Sequence, residues 1–255
     1  MCACVARNLA VRLGAYSLRV TTTVSTIRQR LRSLAEPERA RFLQGYFKTA
    51  EPFLGIRVPV LRTLAREYRT LSLTEVTPLL RSRVHEERHL ALMILVSAYA
   101  KAEPLKRAAI YRVYMKHRLY INNWDLVDSS APGIVGAHLT TKGRQTLDVL
   151  ARSINVWDRR IAIIATHHFI KRGEYRDTVR VASMLLTDEH DLIHKATGWM
   201  LRELGKRAPA TLHGFLDAHA GHMPRTMLRY AIERLPLTVQ RRYRDRAADE
   251  KALHQ

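Results

Sequence analysis

Cysteine is nearly absent: only Cys2 and Cys4 occur in 255 residues, both near the start. That excludes a disulfide framework and points to a reducing compartment. The pair has no nearby His or Cys to complete a tetrahedral metal site. No run of 18 or more apolar residues occurs, so no membrane-spanning helix is expected. Strict apolar/polar alternation and Asn-Gly turn pairs are missing, which argues against a sheet. There is no phosphate-binding loop, no dinucleotide fingerprint and no Gly-x-Ser-x-Gly elbow. Above all, acid is scarce. Asp and Glu total 23 against 43 Lys and Arg, a net charge of +20. Self-repulsion on this scale opposes compaction and implies a polyanionic partner, with nucleic acid ahead of a membrane surface or an acidic protein.

What is present is helix. Hydrophobic residues make up 47% of the chain, enough for a buried core. Ile27, Leu31 and Leu34 follow helical spacing, His89–Ala100 reads as a nearly all-apolar buried helix, Ile161–Ile170 is again mostly apolar, and Ala196–Leu204 reads as a further helical segment. Prolines 37, 59, 78, 104, 132, 209, 224 and 236 are read as marking segment edges. Residues 1–24 form a basic arm. The first 35 residues carry six Arg and no acid, a composition shared by transit peptides, mistaken start sites and disordered basic arms. The expectation is a partly disordered arm running into a helix near Val24. Residues 25–245 form one domain and 246–255 a tail.

A cation precedes an apolar helix at Arg88, Arg160 and Lys195, with Trp124 midway between the first two. A period near 35 residues fits the two-helix unit of a HEAT-like solenoid, the alternative being an irregular bundle. In a solenoid, one cation per unit would make a basic stripe along the concave face, matched to the regular phosphates of a duplex. The expected fold is therefore all-α, a HEAT-like helical-repeat solenoid with a concave basic cleft.

Three segments carry chemistry. In Asn122-Asn123-Trp124-Asp125-Leu126-Val127-Asp128, Trp124 and Asp128 share a helix face, and Asp125 reads as support for the helix start. A carboxylate in a groove built for phosphates needs a reason to be there. In Trp157-Asp158-Arg159-Arg160, one Arg is free to face the groove while the other pairs or meets solvent. Lys195, Trp199 and Arg202 share a face suited to phosphate and sugar, and Gly198 implies close packing or room for a ligand. Two weaker signals remain. His167-His168 reads as packed rather than ligating. His85-Glu86-Glu87-Arg88-His89 has the zinc-hydrolase spacing, but the sequence shows no third ligand and the match is read as formal.

These stretches, with Tyr46-Phe47-Lys48, Phe53–Pro59 and Met223–Leu235, resemble the AlkD-like DNA alkylation repair family of HEAT-like DNA glycosylases over roughly residues 25 to 245. The resemblance implies that Trp124, Asp128 and Trp199 line the cleft beside the damaged nucleotide, that Arg160 is the cleft arginine, and that Tyr46 stands near its N-terminal end. It implies excision of N3- and N7-alkylated purines from duplex DNA in base excision repair, without flipping the base and without a metal or cofactor. On the residues' own chemistry, Asp128 would stabilise an oxocarbenium-like sugar, Trp124 and Trp199 would contact that sugar, and Arg160 would hold a phosphate. Lys195 and Arg202 are further DNA contacts, and arginines around Asp128 would keep it ionised. The partner expected is alkylated double-stranded DNA, bound by a monomer in a bacterial cytoplasm. The competing readings are a non-catalytic DNA scaffold and a module binding an acidic protein.

Overall fold

A computed structural model of the chain describes residues 23–47 and 49–252. All but the last two residues of the basic arm, both cysteines, Lys48 and the end of the tail lie outside the described residues. Every regular element among those described is helical. In order they are α1 (Val24–Ser33), α2 (Pro37–Phe47), α3 (Val58–Glu67), α4 (Leu73–Leu80), α5 (His85–Lys101), α6 (Pro104–Lys116), α7 (Trp124–Ala131) and α8 (Ala137–Leu139). Then come α9 (Gln145–Ala151), α10 (Val156–Ala165), α11 (His167–Lys171), α12 (Arg176–Met184), α13 (Asp191–Gly205), α14 (Pro209–His219), α15 (Arg225–Ile232) and α16 (Leu237–Ala252). The all-α class and the helix beginning at Val24 are as the sequence implies.

Pro37, Pro59, Pro104 and Pro209 sit in first helical turns, where the missing N–H costs nothing. Pro78 departs from expectation by lying inside α4. There it forgoes the bond that an N–H would make to the Thr74 carbonyl, one bond of a short helix.

Helices α5, α7, α10, α13 and α15 pack side by side in succession, and α4, α9, α12 and α14 lean on this row as a second layer. A helix with neighbours on both flanks and behind must be apolar nearly all round. That is why Leu90, Ala91, Leu92, Ile94 and Leu95 on α5, and the whole run Ile161–Ala165 on α10, are buried. Helices α13 and α15 pack closely. A Cβ on Gly198 would lie 2.6 Å from the Cβ of Tyr230 and would also strike the Met227 carbonyl. Gly198 therefore serves packing, not a ligand. We expect Gly198→Ala to cost about 1–3 kcal/mol by overpacking, read as a lower urea midpoint.

Two turns share one hydrogen-bond pattern, in a register that differs by one residue from the cation pattern in the sequence. Arg88 sends Nη1 back to the carbonyls of Ser82 and Arg83, and Arg159 does the same to Ser153 and Ile154. Ser82 and Ser153 each accept from the backbone N–H two residues on. The acid before each arginine is buried and paired outward, Glu87 with Arg28 and Asp158 with Arg118. Each arginine also meets a distant acid, Glu51 or Asp188. The conserved physical task is closing the turn ahead of an inner helix, so Arg159 is the counterpart of Arg88. Arg160 falls at the position of His89.

Glu86 holds the entry to α3. It is 2% exposed and accepts from the backbone N–H of Leu54 (2.9 Å), Gly55 (2.7 Å) and Ile56 (3.3 Å). Gly55 takes φ +82°, and any Cβ there would strike the chain at Glu36 and Ala40. Glu86→Gln keeps one acceptor oxygen and loses the charge behind three hydrogen bonds. We expect it to cost about 1.5–3 kcal/mol, measured by chemical denaturation.

Candidate functional site

The site grows from the start of α7. Asn123 caps the helix, its Oδ1 accepting from the Trp124 N–H at 2.8 Å, while its Nδ2 donates to Glu51 at 2.8 Å. Glu51 is a buried hub that also accepts from His85 Nδ1 at 3.0 Å and from Arg88. Burial works against its charge, yet the hydrogen bonds from His85 and Asn123 and the Arg88 charge hold its carboxyl at about 2. His85 donates from its other nitrogen, Nε2, to Asp125 at 2.8 Å. Burial disfavours the imidazolium, but the two carboxylates outweigh it and lift His85 to about 9. His89, buried beside them, is pushed down to about 4.

This network fixes the orientation of Trp124. Its indole, half-buried, stacks on Phe47 with centroids 5.3 Å apart and meets Tyr46 edge-on at 6.3 Å. Tyr46 is 60% exposed and stacks on the exposed Phe42. Phe47 continues the aromatic line to Phe53, which stacks on His85 at 4.7 Å.

One turn beyond Trp124 stands Asp128. Arg160 of α10 clasps it from both sides of the carboxylate, Nε to Oδ1 at 2.9 Å and Nη2 to Oδ2 at 2.8 Å. The same guanidinium donates from Nη1 to the Leu192 carbonyl at 2.6 Å, in the first turn of α13. Arg160 thus joins three helices. The side chain of Asp128 keeps 16% exposure against 6% for Arg160, so the acid is the member of the pair that solvent reaches. Burial pushes the Asp128 carboxyl upward from its ordinary value, and Arg160 opposes that shift. The sequence implies several arginines around Asp128. The structure supplies one, held in a fork.

The remaining expected residues are more scattered. Trp199 on α13 is half-buried, donates from Nε1 to Glu203 at 3.1 Å and lies 6.0 Å from the His167 ring. Lys195, 39% exposed, pairs with Asp191 at 2.7 Å. Arg202 is drawn to Glu233 beside α15. Of the three cations expected to form a stripe, Arg88 and Arg160 are instead buried in ion pairs, because each ties neighbouring helices together. His167 and His168 are half-buried as expected of packed residues, with burial lowering both.

Sequence reasoning missed Glu51 and treated Asp125 only as helix support. Their partners lie 34 to 72 residues away, beyond any local pattern. The one available signal was the i, i+4 pair His85 and His89, for which Asp125 supplies the third group.

Among the described residues, no helix is long and apolar enough to cross a membrane. The profile of the DNA alkylation repair enzyme family matches residues 27–235. Comparison with the curated proteins finds no match. Among solved structures, the chain is similar to one described as "Predicted DNA alkylation repair enzyme from Enterococcus faecalis". The two share 19% identity and a TM-score of 0.65, over 80% of this chain and 97% of that one. The fold is common to both. The profile covers most of the sequence, and the chain belongs to the DNA alkylation repair enzyme family.

Proposed function

We propose that the protein is a DNA glycosylase that releases positively charged N3- and N7-alkylated purines, such as 3-methyladenine and 7-methylguanine, from duplex DNA in base excision repair. The observation that carries this reading is a partly exposed carboxylate, Asp128, held in a buried guanidinium fork one helical turn from an indole. An alkylated purine is already cationic, so its glycosidic bond is weak and the sugar becomes oxocarbenium-like as it breaks. A fixed carboxylate stabilises that cation and orients a water for attack on it. The indole faces of Trp124 and Trp199 favour the same positive charge. Because the leaving group carries its own charge, selectivity needs no pocket for a flipped base.

Arg160 serves Asp128 first. Its fork fixes the carboxylate, while the expected phosphate contacts pass to more exposed groups such as Tyr46 and Lys195, with Arg202 at the far end. The excess of Lys and Arg supports a duplex laid along a concave basic face of a HEAT-like solenoid. The protein would act as a monomer in the cytoplasm. Incubating it with methylated genomic DNA and weighing the free bases by mass spectrometry tests the reading: 3-methyladenine and 7-methylguanine should appear in the supernatant. One observation favours a non-catalytic scaffold. The Asp128–Arg160 pair is closed, as in a purely structural ion pair. Absence of released bases alongside retained duplex binding would establish that alternative.

A further inference from the structure

The network beneath Trp124 leaves two buried polar atoms without a partner, one on His89 and one on Asp125. His85 and His89 stand one turn apart at the start of α5, and Asp125 faces them from the first turn of α7. One ligand atom from each lies within 4.8 Å of the others. His89 is 4% exposed and makes no hydrogen bond: Nδ1 stops 3.7 Å short of Asp125, and Nε2 is buried without a partner. Asp125 Oδ1 is likewise buried and unpartnered. Buried polar atoms in a well-packed interior are nearly always satisfied, so two orphans on facing residues call for a missing partner. Both atoms are lone-pair donors in the neutral imidazole and the carboxylate. A buried water donating two hydrogen bonds or a coordinated cation satisfies such atoms; the clustering of three ligand atoms within 4.8 Å favours the cation.

We propose that His85, His89 and Asp125 form a structural site for a divalent transition-metal ion, with Zn²⁺ the best match, that locks α5 to α7.

Two imidazoles and one carboxylate suit Zn²⁺, which takes such three-ligand sets with a fourth position for water or the second carboxylate oxygen. The outer shell is already in place. His85 Nδ1 is held by Glu51 at 3.0 Å, and Glu51 is itself fixed by Asn123 and Arg88. A carboxylate behind a ligating imidazole sets its tautomer and raises its basicity. Binding replaces the Nε2 proton that His85 shares with Asp125, and that proton leaves to solvent. The spacing matches that of zinc hydrolases, but the glutamate that serves as base in such enzymes is here Glu86. Both its oxygens accept from the chain at Leu54–Ile56. The ion is therefore structural: it braces the helix that presents Trp124 and Asp128.

The test uses the full chain carrying Cys2→Ser and Cys4→Ser, untagged and stripped with a chelator, titrated with Co²⁺ as a spectroscopic stand-in for Zn²⁺. The expected result is visible d–d absorption of a four-coordinate site that saturates at about one equivalent and is abolished by Zn²⁺. Zn²⁺ should raise the melting midpoint, and a chelator should reverse the rise. His89→Gln, which roughly preserves volume, should weaken the affinity about a hundredfold, and Glu51→Gln about 10- to 100-fold. Absence of d–d absorption in the folded parent chain overturns the proposal. So does a Co²⁺ spectrum unchanged by His89→Gln, which would put the ion elsewhere. None of these readouts involves DNA, so the glycosylase reading stands or falls separately.

Discussion

Asp128→Asn is expected to slow release of alkylated bases by about 10²–10³-fold while leaving duplex affinity unchanged or slightly higher. The substitution keeps shape and removes charge. On the proposed chemistry, the lost charge faces a developing oxocarbenium ion in the transition state. In the ground state it faces only Arg160, plus the phosphates of a bound duplex, which it repels. Catalysis and binding therefore move apart, which a folding defect does not do. The variant also pays in stability. Arg160 is buried and bonded to both carboxylate oxygens, so an amide there leaves a guanidinium N–H without its acceptor. About 1–3 kcal/mol is expected, and rates should be compared at a temperature where circular dichroism shows both proteins folded. Equal rates for parent and variant would remove Asp128 from the chemistry.

Duplex affinity should fall by about 10³–10⁵ between 50 and 200 mM salt, the response of a protein that neutralises six to ten phosphates. The net charge of +20 sets the sign but overstates the size. Arg88, Arg159 and Arg160 are spent inside the fold, each on a carboxylate and a backbone carbonyl. Arg57, Arg172, Arg242 and Lys195 sit in exposed ion pairs that a phosphate can open, and on the proposed reading cations of this kind supply the contacts. A log–log plot of affinity against salt measures how many of them do. A flat plot would mean that the polyanion reading of the charge is wrong and would favour a different acidic partner.

The parts of this molecule that follow from local rules could be read from the sequence. Helix α1 begins at Val24 because Thr23 caps it and Ile27 and Leu31 repeat on one face. The run Ile161–Ala165 is buried because no helix so apolar can be otherwise. Trp124 and Asp128 share a face because four residues separate them on α7. What failed was long-range. Arg160 looked like the repeat of Arg88 because both precede an apolar run. The structure pairs Arg88 with Arg159, since what recurs is an arginine reaching back to a serine carbonyl. The phosphate role expected of Arg160 comes from the family resemblance and from guanidinium chemistry, and neither shows the groups it meets inside the fold. Its partners, Asp128 and the Leu192 carbonyl, are both 32 residues away. Glu51 gave no sign at all, because a carboxylate in a loop shows its importance only through what folds around it.

The proposed chemistry requires Asp128 to reach the deoxyribose of the damaged nucleotide. A structure of the protein on a duplex carrying an uncleavable analogue of a 3-alkylated adenine tests this most directly. We predict the carboxylate within about 4 Å of the anomeric carbon, near-attack range, with Arg160 still in its fork and Trp124 against the sugar. A duplex lying across another face, or a sugar out of reach of Asp128, would contradict the glycosylase reading and leave a DNA-binding scaffold.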